Sequence, residues 1–214
     1  MNVGVLGGTF NPIHLAHLRL AEEMREALAL ERVLLVPAGD PPLKRIGIAP
    51  ADQRLEMARR ASASNPALEV CDLEVRRAGP SYSVDTLAEL HARMPGDALW
   101  FIVGADTLRD LEAWREPERL FALAHFAVAT RPGHDRALRE LLPVSLAHAF
   151  RDGPRGLLHV SGNELRPIPF TALAVSASDI RRRVACGASI RYLVPDEVIE
   201  YIRKHQLYQE KEDG

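Results

Sequence analysis

Short apolar segments alternate along this chain with longer segments of helical periodicity, and this alternation constrains the fold more than any other feature. Continuous apolar strands suit a parallel sheet that is buried on both faces, since helices then cover each face. The predicted strands occupy residues 2–7, 33–37, 68–75, 99–103, 126–129, 157–160 and 173–175. The predicted helices occupy residues 15–30, 51–64, 83–94, 118–124, 178–186 and 195–206. The pattern predicts an α/β fold with a doubly wound parallel sheet and a small C-terminal helical part.

Length and composition indicate one domain. Of the 214 residues 47% are hydrophobic, which is enough to bury a sizeable core. We expect a single domain over residues 1–207 and a polar tail over residues 208–214. Residues 131–156 carry the weakest pattern, with turn signals around a moderately helical segment at residues 136–150. This insert should therefore be the least regular region.

Charge and cysteine content argue against several classes of function. The net charge of -2 gives no sign of a basic surface, so we expect no nucleic-acid partner. Cys71 and Cys186 lack the spacing of a disulfide framework or a zinc cluster. The sequence shows neither a leader pattern nor an apolar run of membrane-spanning length. We therefore expect a cytoplasmic protein without a membrane partner, whose oligomeric state the sequence does not indicate.

A glycine pair follows the first predicted strand and opens a turn that suits phosphate. The segment reads GGTFNPIHLAH, residues 7–17, and a helix should begin within it. Gly7 and Gly8 have no side chains, so backbone N–H groups can approach an anion, and the positive end of the helix faces the same point. His14 and His17 share one face of the first helical turn, so both imidazoles can reach whatever lies above the glycines.

Three further clusters of unusual residues also follow predicted strands. They are Lys44 after the second strand, Gly104 and Asp106 after the fourth, and residues 176–181 after the seventh. In a doubly wound sheet, ligands bind beyond the carboxyl ends of the strands. Lys44 is one of three lysines among 27 basic residues, although an ordinary surface lysine is the alternative explanation. Together the clusters predict one ligand site at this edge of the sheet.

Two familiar nucleotide motifs are missing from the sequence. The chain has no GxxxxGK(S/T) segment, and its first turn lacks the GxGxxG spacing of dinucleotide-binding folds. The turn resembles instead the first signature of the HxGH-type nucleotidyltransferase superfamily, GGTFDPxHxGH. The segment SASDIR at residues 176–181 is similar to the second signature of that superfamily, SxTxIR. The resemblance implies a Rossmann-like nucleotidyltransferase fold.

Within this superfamily the chain most resembles the bacterial nicotinate-mononucleotide adenylyltransferases. SYSVDTL at residues 81–87 is similar to their SYTxDTL segment. GAD at residues 104–106, with Trp114 downstream, is similar to their GAD and tryptophan, and RPG at residues 131–133 to their RPG. The resemblance extends over residues 2–207.

Three positions depart from the family pattern. Asn11 stands where Asp is usual, Ala16 where the middle Gly of HxGH is usual, and Ser178 where Thr is common. Asn and Ser keep their hydrogen-bonding capacity, whereas Ala16 adds one methyl group near the expected phosphates. None of the three removes an expected catalytic group.

The chemistry of adenylyl transfer suits these residues. A nucleotide phosphate attacks the α-phosphate of ATP in line and expels pyrophosphate, so no strong base is needed and positioning carries the rate. His14 and His17 can donate hydrogen bonds to the α-phosphate, and Lys44 can reach it from the second loop. Ser178, as the expected helix cap, and Arg181 can hold the β- and γ-phosphates. Mg²⁺ is expected, held mainly by ATP phosphates and water because the site offers few carboxylates.

The resemblance implies roles for further residues and names the two substrates, ATP and nicotinate mononucleotide. The expected ATP contacts are Gly7, Gly8, Thr9, Phe10, Gly104, Asp106, Ser176, Ser178 and Ile180. The expected nicotinate mononucleotide contacts are Tyr82, Ser83, Asp85, Thr86, Trp114 and Arg131. Ser83 can cap a helix whose free N–H groups receive the nicotinate carboxylate, and Trp114 can stack on the pyridine ring. The products implied are deamido-NAD and pyrophosphate, and no residue is expected to act as a metal ligand.

Each functional interpretation has a structural alternative. The HxxH pair could bind a metal, although it lacks the glutamate of HExxH, and either histidine could be a core residue. Trp114 could simply pack in the core, and Ser83 with Asp85 could do no more than start a helix. Arg182 and Arg183 are interpreted as a solvated face.

Three functions remain open at this level. The first is adenylyl transfer from ATP to nicotinate mononucleotide. The second changes the acceptor to phosphopantetheine or nicotinamide mononucleotide, or uses CTP with an alcohol phosphate; the chain length, residues 82–87 and Trp114 argue against it. The third is a nucleotide sensor without catalysis. The intact set of His14, His17, Lys44 and Arg181 argues against it.

Overall fold

The computed structural model describes residues 1–42, 47–130 and 138–209, and in these ranges eight strands form one sheet. The strands are β1 (Asn2–Gly8), β2 (Arg32–Pro37), β3 (Leu68–Val70), β4 (Ala98–Gly104), β5 (His125–Thr130), β6 (Phe150–Gly153), β7 (Gly156–His159) and β8 (Glu164–Pro169). Their order across the sheet is β3-β2-β1-β4-β5-β8-β7-β6. Neighbours from β3 to β8 in this order run parallel, whereas β8, β7 and β6 are antiparallel at one edge.

Helices follow most of the parallel strands. In the described ranges they are α1 (Leu15–Ala27), α2 (Ala51–Ser62), α3 (Leu73–Arg76), α4 (Ser83–Arg93), α5 (Ala105–Arg109), α6 (Pro117–Leu123), α7 (Leu138–Leu141), α8 (Val144–Ala147), α9 (Ala177–Ala185) and α10 (Asp196–Lys204). A 3₁₀ turn at Asp110–Ala113 follows α5. None of these helices is long and apolar enough to cross a membrane.

Two apolar clusters, one on each face of the sheet, form the core. Along β2, Val33 and Leu35 pack into a cluster with side chains of α1, α2, α9 and α10. Leu34 and Val36 point the other way and join a second cluster with side chains of α4 and α6. Alternate residues of one strand are thus buried on opposite faces. This confirms the predicted doubly wound α/β fold.

The register places the ends of the central strands side by side. Gly8 pairs with Pro37 at the end of β1 and β2, and Gly104 pairs with Ala129 at the end of β4 and β5. The chain proceeds from β1 outwards to β2 and β3 on one side, and through β4 and β5 on the other. The switch point therefore lies between β1 and β4, where a crevice is expected beyond the carboxyl ends of the strands.

Some segments differ from the predicted elements. The strand predicted over residues 68–75 has only three residues, because the chain turns into α3. In the described chain, residues 173–175 form no strand, and the last parallel strand is β8, which the sequence pattern missed. Pro167 and Pro169 of β8 resemble turn signals. They are tolerated because β7 pairs with β8 only up to Leu165, so their missing N–H groups break no hydrogen bond of the ladder.

The insert and the C-terminal part are built from short elements. The described residues 138–156 hold α7, α8 and β6, in keeping with the weak pattern there. Helices α9 and α10 form the expected C-terminal helical part and pack on the core through Ile180 and Val198. Tyr208, which the sequence assigns to the tail, packs against the same cluster. The domain boundary at residue 207 stays a prediction.

Candidate functional site

In the turn after β1, an aromatic side chain covers the backbone. Phe10 has a positive φ of 46° and folds its buried ring over Gly8. A Cβ atom at Gly8 would lie 2.8 Å from this ring, so the close approach requires glycine. Asn11 is also buried: its Nδ2 donates to the carbonyl oxygen of Gly47 at 2.9 Å, and its Oδ1 accepts from the N–H of Ala49 at 3.1 Å. The turn is thereby fixed to the segment that precedes α2.

His14 and His17 stack at the start of α1. Their ring centroids are 3.7 Å apart, with an angle of 23° between the planes. The backbone N–H of His14 donates to Nδ1 of His17 at 3.3 Å. A ring nitrogen that accepts carries no proton, so the proton of the neutral imidazole is on Nε2. His17 is therefore set to donate a hydrogen bond from Nε2.

Burial controls the charge of His14. Its side chain is 5% exposed, and removal from water lowers its pKa to about 4. Its Nδ1 atom is buried and has no hydrogen-bond partner among the described residues. At neutral pH His14 is an uncharged imidazole, so it contributes hydrogen bonding rather than positive charge.

The start of α9 lies opposite the histidines. Ser176 is its cap, with Oγ accepting from the N–H of Asp179 at 3.2 Å. This corrects the expected cap, Ser178, which lies inside the first turn with its hydroxyl 3.2 Å from that of Ser176. The helix begins earlier because Ser176 has the extended backbone that cap residues adopt. Arg181 reaches across and donates to the carbonyl oxygen of Asn11 at 2.9 Å.

A cleft of about 710 Å³ lies between the first turn and α9, and we call it the phosphate cleft. The predicted site residues that line it are Thr9, Phe10, His14, His17, Ser176, Ser178 and Arg181. No carboxylate of the described residues lines it. The cleft thus combines two imidazoles, a guanidinium and the positive ends of α1 and α9, which is a donor set for a polyphosphate.

Other expected ATP contacts lie at the neighbouring strand ends. Gly7 is exposed at the end of β1, Gly104 caps α5, and Asp106 is exposed in the first turn of α5. Ile180 is completely buried and supports α9 from the core side. Lys44 lies outside the described residues.

Four of the residues expected to bind the acceptor lie at the start of α4: Tyr82, Ser83, Asp85 and Thr86. By its backbone conformation the cap is Tyr82, not the expected Ser83, and no side chain caps this helix in the described structure. Within the described residues, the N–H groups of Ser83 and Val84 have no hydrogen-bond partner. Trp114 is half-buried and meets the ring of Phe101 edge-on at 6.3 Å. Two backbone donors are therefore available at the start of α4.

Neighbouring side chains hold Asp85 and Thr86 in place. Thr86 is buried and its hydroxyl donates to Oε1 of Glu74 at 2.6 Å. Burial also raises the pKa of the Glu74 carboxyl. Asp85 forms an ion pair with Arg115 at 3.2 Å. These contacts hold the first turn of α4 in place. The expected contact Arg131 lies outside the described residues.

Two arginines at the site were not predicted from the sequence. Arg115 stacks over the ring of Tyr82, with 4.9 Å between its guanidinium carbon and the ring centroid. Arg54 is 1% exposed, in the first turn of α2. A signal for Arg54 was present, because its spacing from Ala58 and Ala61 places it on the apolar, inward face of the helix.

A second cleft, of about 670 Å³, adjoins the phosphate cleft and shares Ile48 with it. Its lining includes Gly39, Pro41, Ala49, Arg54 and Tyr82. We call it the acceptor cleft, because Tyr82 is one of the residues expected to bind the acceptor. Since Tyr82 directly precedes the open N–H groups of α4, this cleft connects the phosphate cleft with the start of α4.

The C-terminal segment also reaches the first turn. The hydroxyl of Tyr208 donates to Oδ1 of Asn11 at 2.8 Å, across 197 positions of sequence. Burial raises the pKa of Tyr208 well above its usual range, so the hydroxyl keeps its proton and stays a donor. Asn11 therefore joins the first turn, the segment before α2, α9 and the end of the chain.

Comparison with known proteins identifies the family of this chain. A sequence model of the cytidylyltransferase-like family matches residues 5–183. A probable nicotinate-nucleotide adenylyltransferase of Geotalea uraniireducens is 47% identical over 97% of this chain and 98% of its own length. One from Citrifermentans bemidjiense is 48% identical, with the same coverage. The chain belongs to the cytidylyltransferase-like family of nucleotidyltransferases, and within it to the nicotinate-nucleotide adenylyltransferases.

Solved structures show the same fold. The Plasmodium falciparum nicotinic acid mononucleotide adenylyltransferase complexed with NaAD superposes with a TM-score of 0.74, at 19% identity and 97% coverage of both chains. The same enzyme complexed with APC gives a TM-score of 0.67, at 20% identity, covering 97% of this chain and 96% of that one. These likenesses confirm the Rossmann-like nucleotidyltransferase fold.

Acid should destabilise the protein partly through His14. The unfolded chain binds a proton at this imidazole near pH 6.5, whereas the folded protein binds it only near pH 4. The stability that neutral His14 contributes is therefore complete above pH 6.5 and is lost as the pH falls towards 4. Between about pH 7.5 and about pH 4.5, urea unfolding should show the unmodified protein losing about 2 kcal/mol more than His14→Asn.

The control for this comparison is His91→Asn, since His91 is exposed on α4. Its loss of stability with acid should equal that of the unmodified protein. Equal acid sensitivity of His14→Asn and the unmodified protein would contradict the assignment of a buried, neutral imidazole.

Proposed function

We propose that this chain transfers the adenylyl group of ATP to nicotinate mononucleotide, giving deamido-NAD and pyrophosphate in NAD biosynthesis. The observation that carries the proposal is the phosphate cleft, where His14, His17, Arg181 and the start of α9 meet. Close sequence relatives over nearly the whole chain support the choice of substrates.

The histidines act at the α-phosphate. An oxygen of the acceptor phosphate attacks the α-phosphorus in line, a new P–O bond forms, and the bond to the β-phosphate oxygen breaks. The attacking phosphate is already ionised, so no side chain has to remove a proton. His17 donates from Nε2 to an α-phosphate oxygen, and His14 adds hydrogen bonding as a neutral imidazole. Lys44 is proposed to add positive charge at the same phosphate.

The start of α9 holds the leaving group. Arg181 is charged and already fixed at the edge of the cleft by the carbonyl oxygen of Asn11. The hydroxyl of Ser178 and the N–H groups of the first helical turn face the same space. We assign the β- and γ-phosphates to these groups, which then stabilise the charge that pyrophosphate gains as it leaves.

The acceptor binds through the acceptor cleft and the start of α4. The open N–H groups of Ser83 and Val84 are proposed to receive the nicotinate carboxylate, with Trp114 stacking on the pyridine ring. Thr86 supports this turn through Glu74. The 5′-phosphate of the acceptor then points towards the phosphate cleft, because the two clefts share Ile48.

Magnesium enters as part of the substrate. The described lining of the phosphate cleft offers imidazole, hydroxyl and guanidinium groups but no carboxylate, and no described group of side chains has the composition of a metal site. Such a donor set fits a metal held by ATP phosphates and water. The cytoplasmic location and the lack of a nucleic-acid partner stay predictions from composition.

The acceptor should identify the reaction. With Mg²⁺ and ATP, the purified protein should release pyrophosphate fastest with nicotinate mononucleotide, more slowly with nicotinamide mononucleotide, and not with phosphopantetheine, because α4 offers its open N–H groups to a carboxylate. Pyrophosphate is measured by a coupled assay and deamido-NAD by chromatography. Absence of pyrophosphate with every acceptor would contradict catalysis and favour a nucleotide sensor.

Adjacent arginines offer a matched pair of variants for the leaving-group site. Arg181→Ala should lower kcat/KM for ATP by about 100-fold, since it removes a charged donor from the phosphates. Arg182→Ala should stay within about twofold, because Arg182 points outwards to an ion pair with Asp179. Steady-state kinetics at varied ATP checks both. Similar losses in the two variants would remove Arg181 from the proposed role.

A further inference from the structure

Arg54 is a buried cation in the wall of the acceptor cleft, next to the phosphate cleft. It lies in the first turn of α2 and is 1% exposed, an unusual burial for arginine. In the described chain the nearby carboxylates, Asp52 and Glu74, act on its pKa through their charge but form no ion pair with it. Burial lowers its pKa, yet a guanidinium stays charged at neutral pH. The proposed mechanism gives this group no task.

The guanidinium instead donates to three backbone carbonyl oxygens. Nε donates to Ala49 at 2.9 Å, one terminal nitrogen to Thr9 at 2.7 Å, and the other to Gly39 at 3.0 Å. The planar fork of arginine fixes the directions of these donors, so three acceptors on it have fixed relative positions. A lysine has no such fork.

The three acceptors belong to different segments of the site. Thr9 lies in the first turn and lines the phosphate cleft. Gly39 follows β2 and Ala49 precedes α2, and both line the acceptor cleft. One side chain therefore connects the walls of both clefts. Asn11 adds a second link, because its Oδ1 accepts from the N–H of the same Ala49.

We propose that Arg54 is a positioning residue that fixes the distance between the phosphate cleft and the acceptor cleft. This inference rests on the proposed function, in which the acceptor phosphate must meet the α-phosphate in line. In-line transfer depends steeply on this distance, and a misplacement of about 1 Å can lower the rate by about 100-fold. The loss should appear in kcat, since each substrate keeps its own contacts within its own cleft.

Three variants of Arg54 separate positioning from charge. Arg54→Lys keeps the charge and loses the fork, Arg54→Met keeps much of the length without charge, and Arg54→Ala leaves space for free guanidinium. Both Arg54→Lys and Arg54→Met should lower kcat by about 10- to 100-fold while KM for either substrate changes by less than about threefold. Millimolar guanidinium chloride should raise kcat of Arg54→Ala in a saturable way, and sodium chloride at equal ionic strength should not.

Arg166→Lys is the matched control, because Arg166 is also largely buried but stacks on Trp100 and pairs with Glu164, outside both clefts. Its kcat should stay within about twofold. Circular dichroism and thermal unfolding establish that each assayed variant is folded at the assay temperature. If Arg54→Met does not fold, the guanidinium experiment on Arg54→Ala and the milder substitution Arg54→Lys still test the proposal.

The outcomes separate this inference from the function on which it rests. No pyrophosphate from the unmodified protein would overturn the proposed function. With an active unmodified protein, unchanged kcat in folded Arg54→Lys and Arg54→Met would overturn the positioning role. Normal kcat in Arg54→Lys alone would show that charge, not geometry, matters, and would also overturn it. A lower unfolding temperature with unchanged kcat would assign Arg54 to stability alone.

Discussion

Three loop carbonyl oxygens converge on one buried guanidinium, and the geometry of the site depends on that contact. Loops at the carboxyl ends of parallel strands have few contacts of their own, so their relative positions must be fixed by something outside them. Arg54 does this for Thr9, Gly39 and Ala49. Removal of its side chain would leave three carbonyl oxygens without their donor, which is costly, so the arrangement also disfavours alternative loop packings.

The site works with local charge rather than with the charge of the whole chain. The net charge is -2, yet the phosphate cleft gathers Arg181, two imidazoles and two helix starts, with no described carboxylate in its lining. Adenylyl transfer needs little acid or base chemistry, so a site built from fixed donors is sufficient. The burial of His14 fits this plan, because a neutral imidazole, unlike a positively charged one, does not draw the ionised acceptor phosphate towards itself. In this site the positioning of the substrates therefore matters more than proton transfer.

Sequence patterns predicted the doubly wound sheet and the shared face of His14 and His17, because apolar periodicity and glycines act locally. They missed β8, since its prolines suggest turns and only the short pairing with β7 makes them acceptable. They also missed Arg54 and the contact between Tyr208 and Asn11. The spacing of Arg54 from Ala58 and Ala61 indicated only that it faces inward. The hydrogen-bond partners of Arg54 and Tyr208 arise from tertiary packing, which periodicity cannot reveal. The helix caps were misplaced for a related reason: several polar residues stood in a row, and backbone conformation selects among them.

The most direct test is a crystal structure of this protein with an ATP analogue that has a methylene group between its α- and β-phosphates, together with nicotinate mononucleotide. The α-phosphate should lie within hydrogen-bond distance of Nε2 of His17, and the β- and γ-phosphates at the start of α9 beside Arg181. The acceptor phosphate should lie in line behind the α-phosphorus. A triphosphate in the acceptor cleft, out of reach of both residues, would contradict this arrangement.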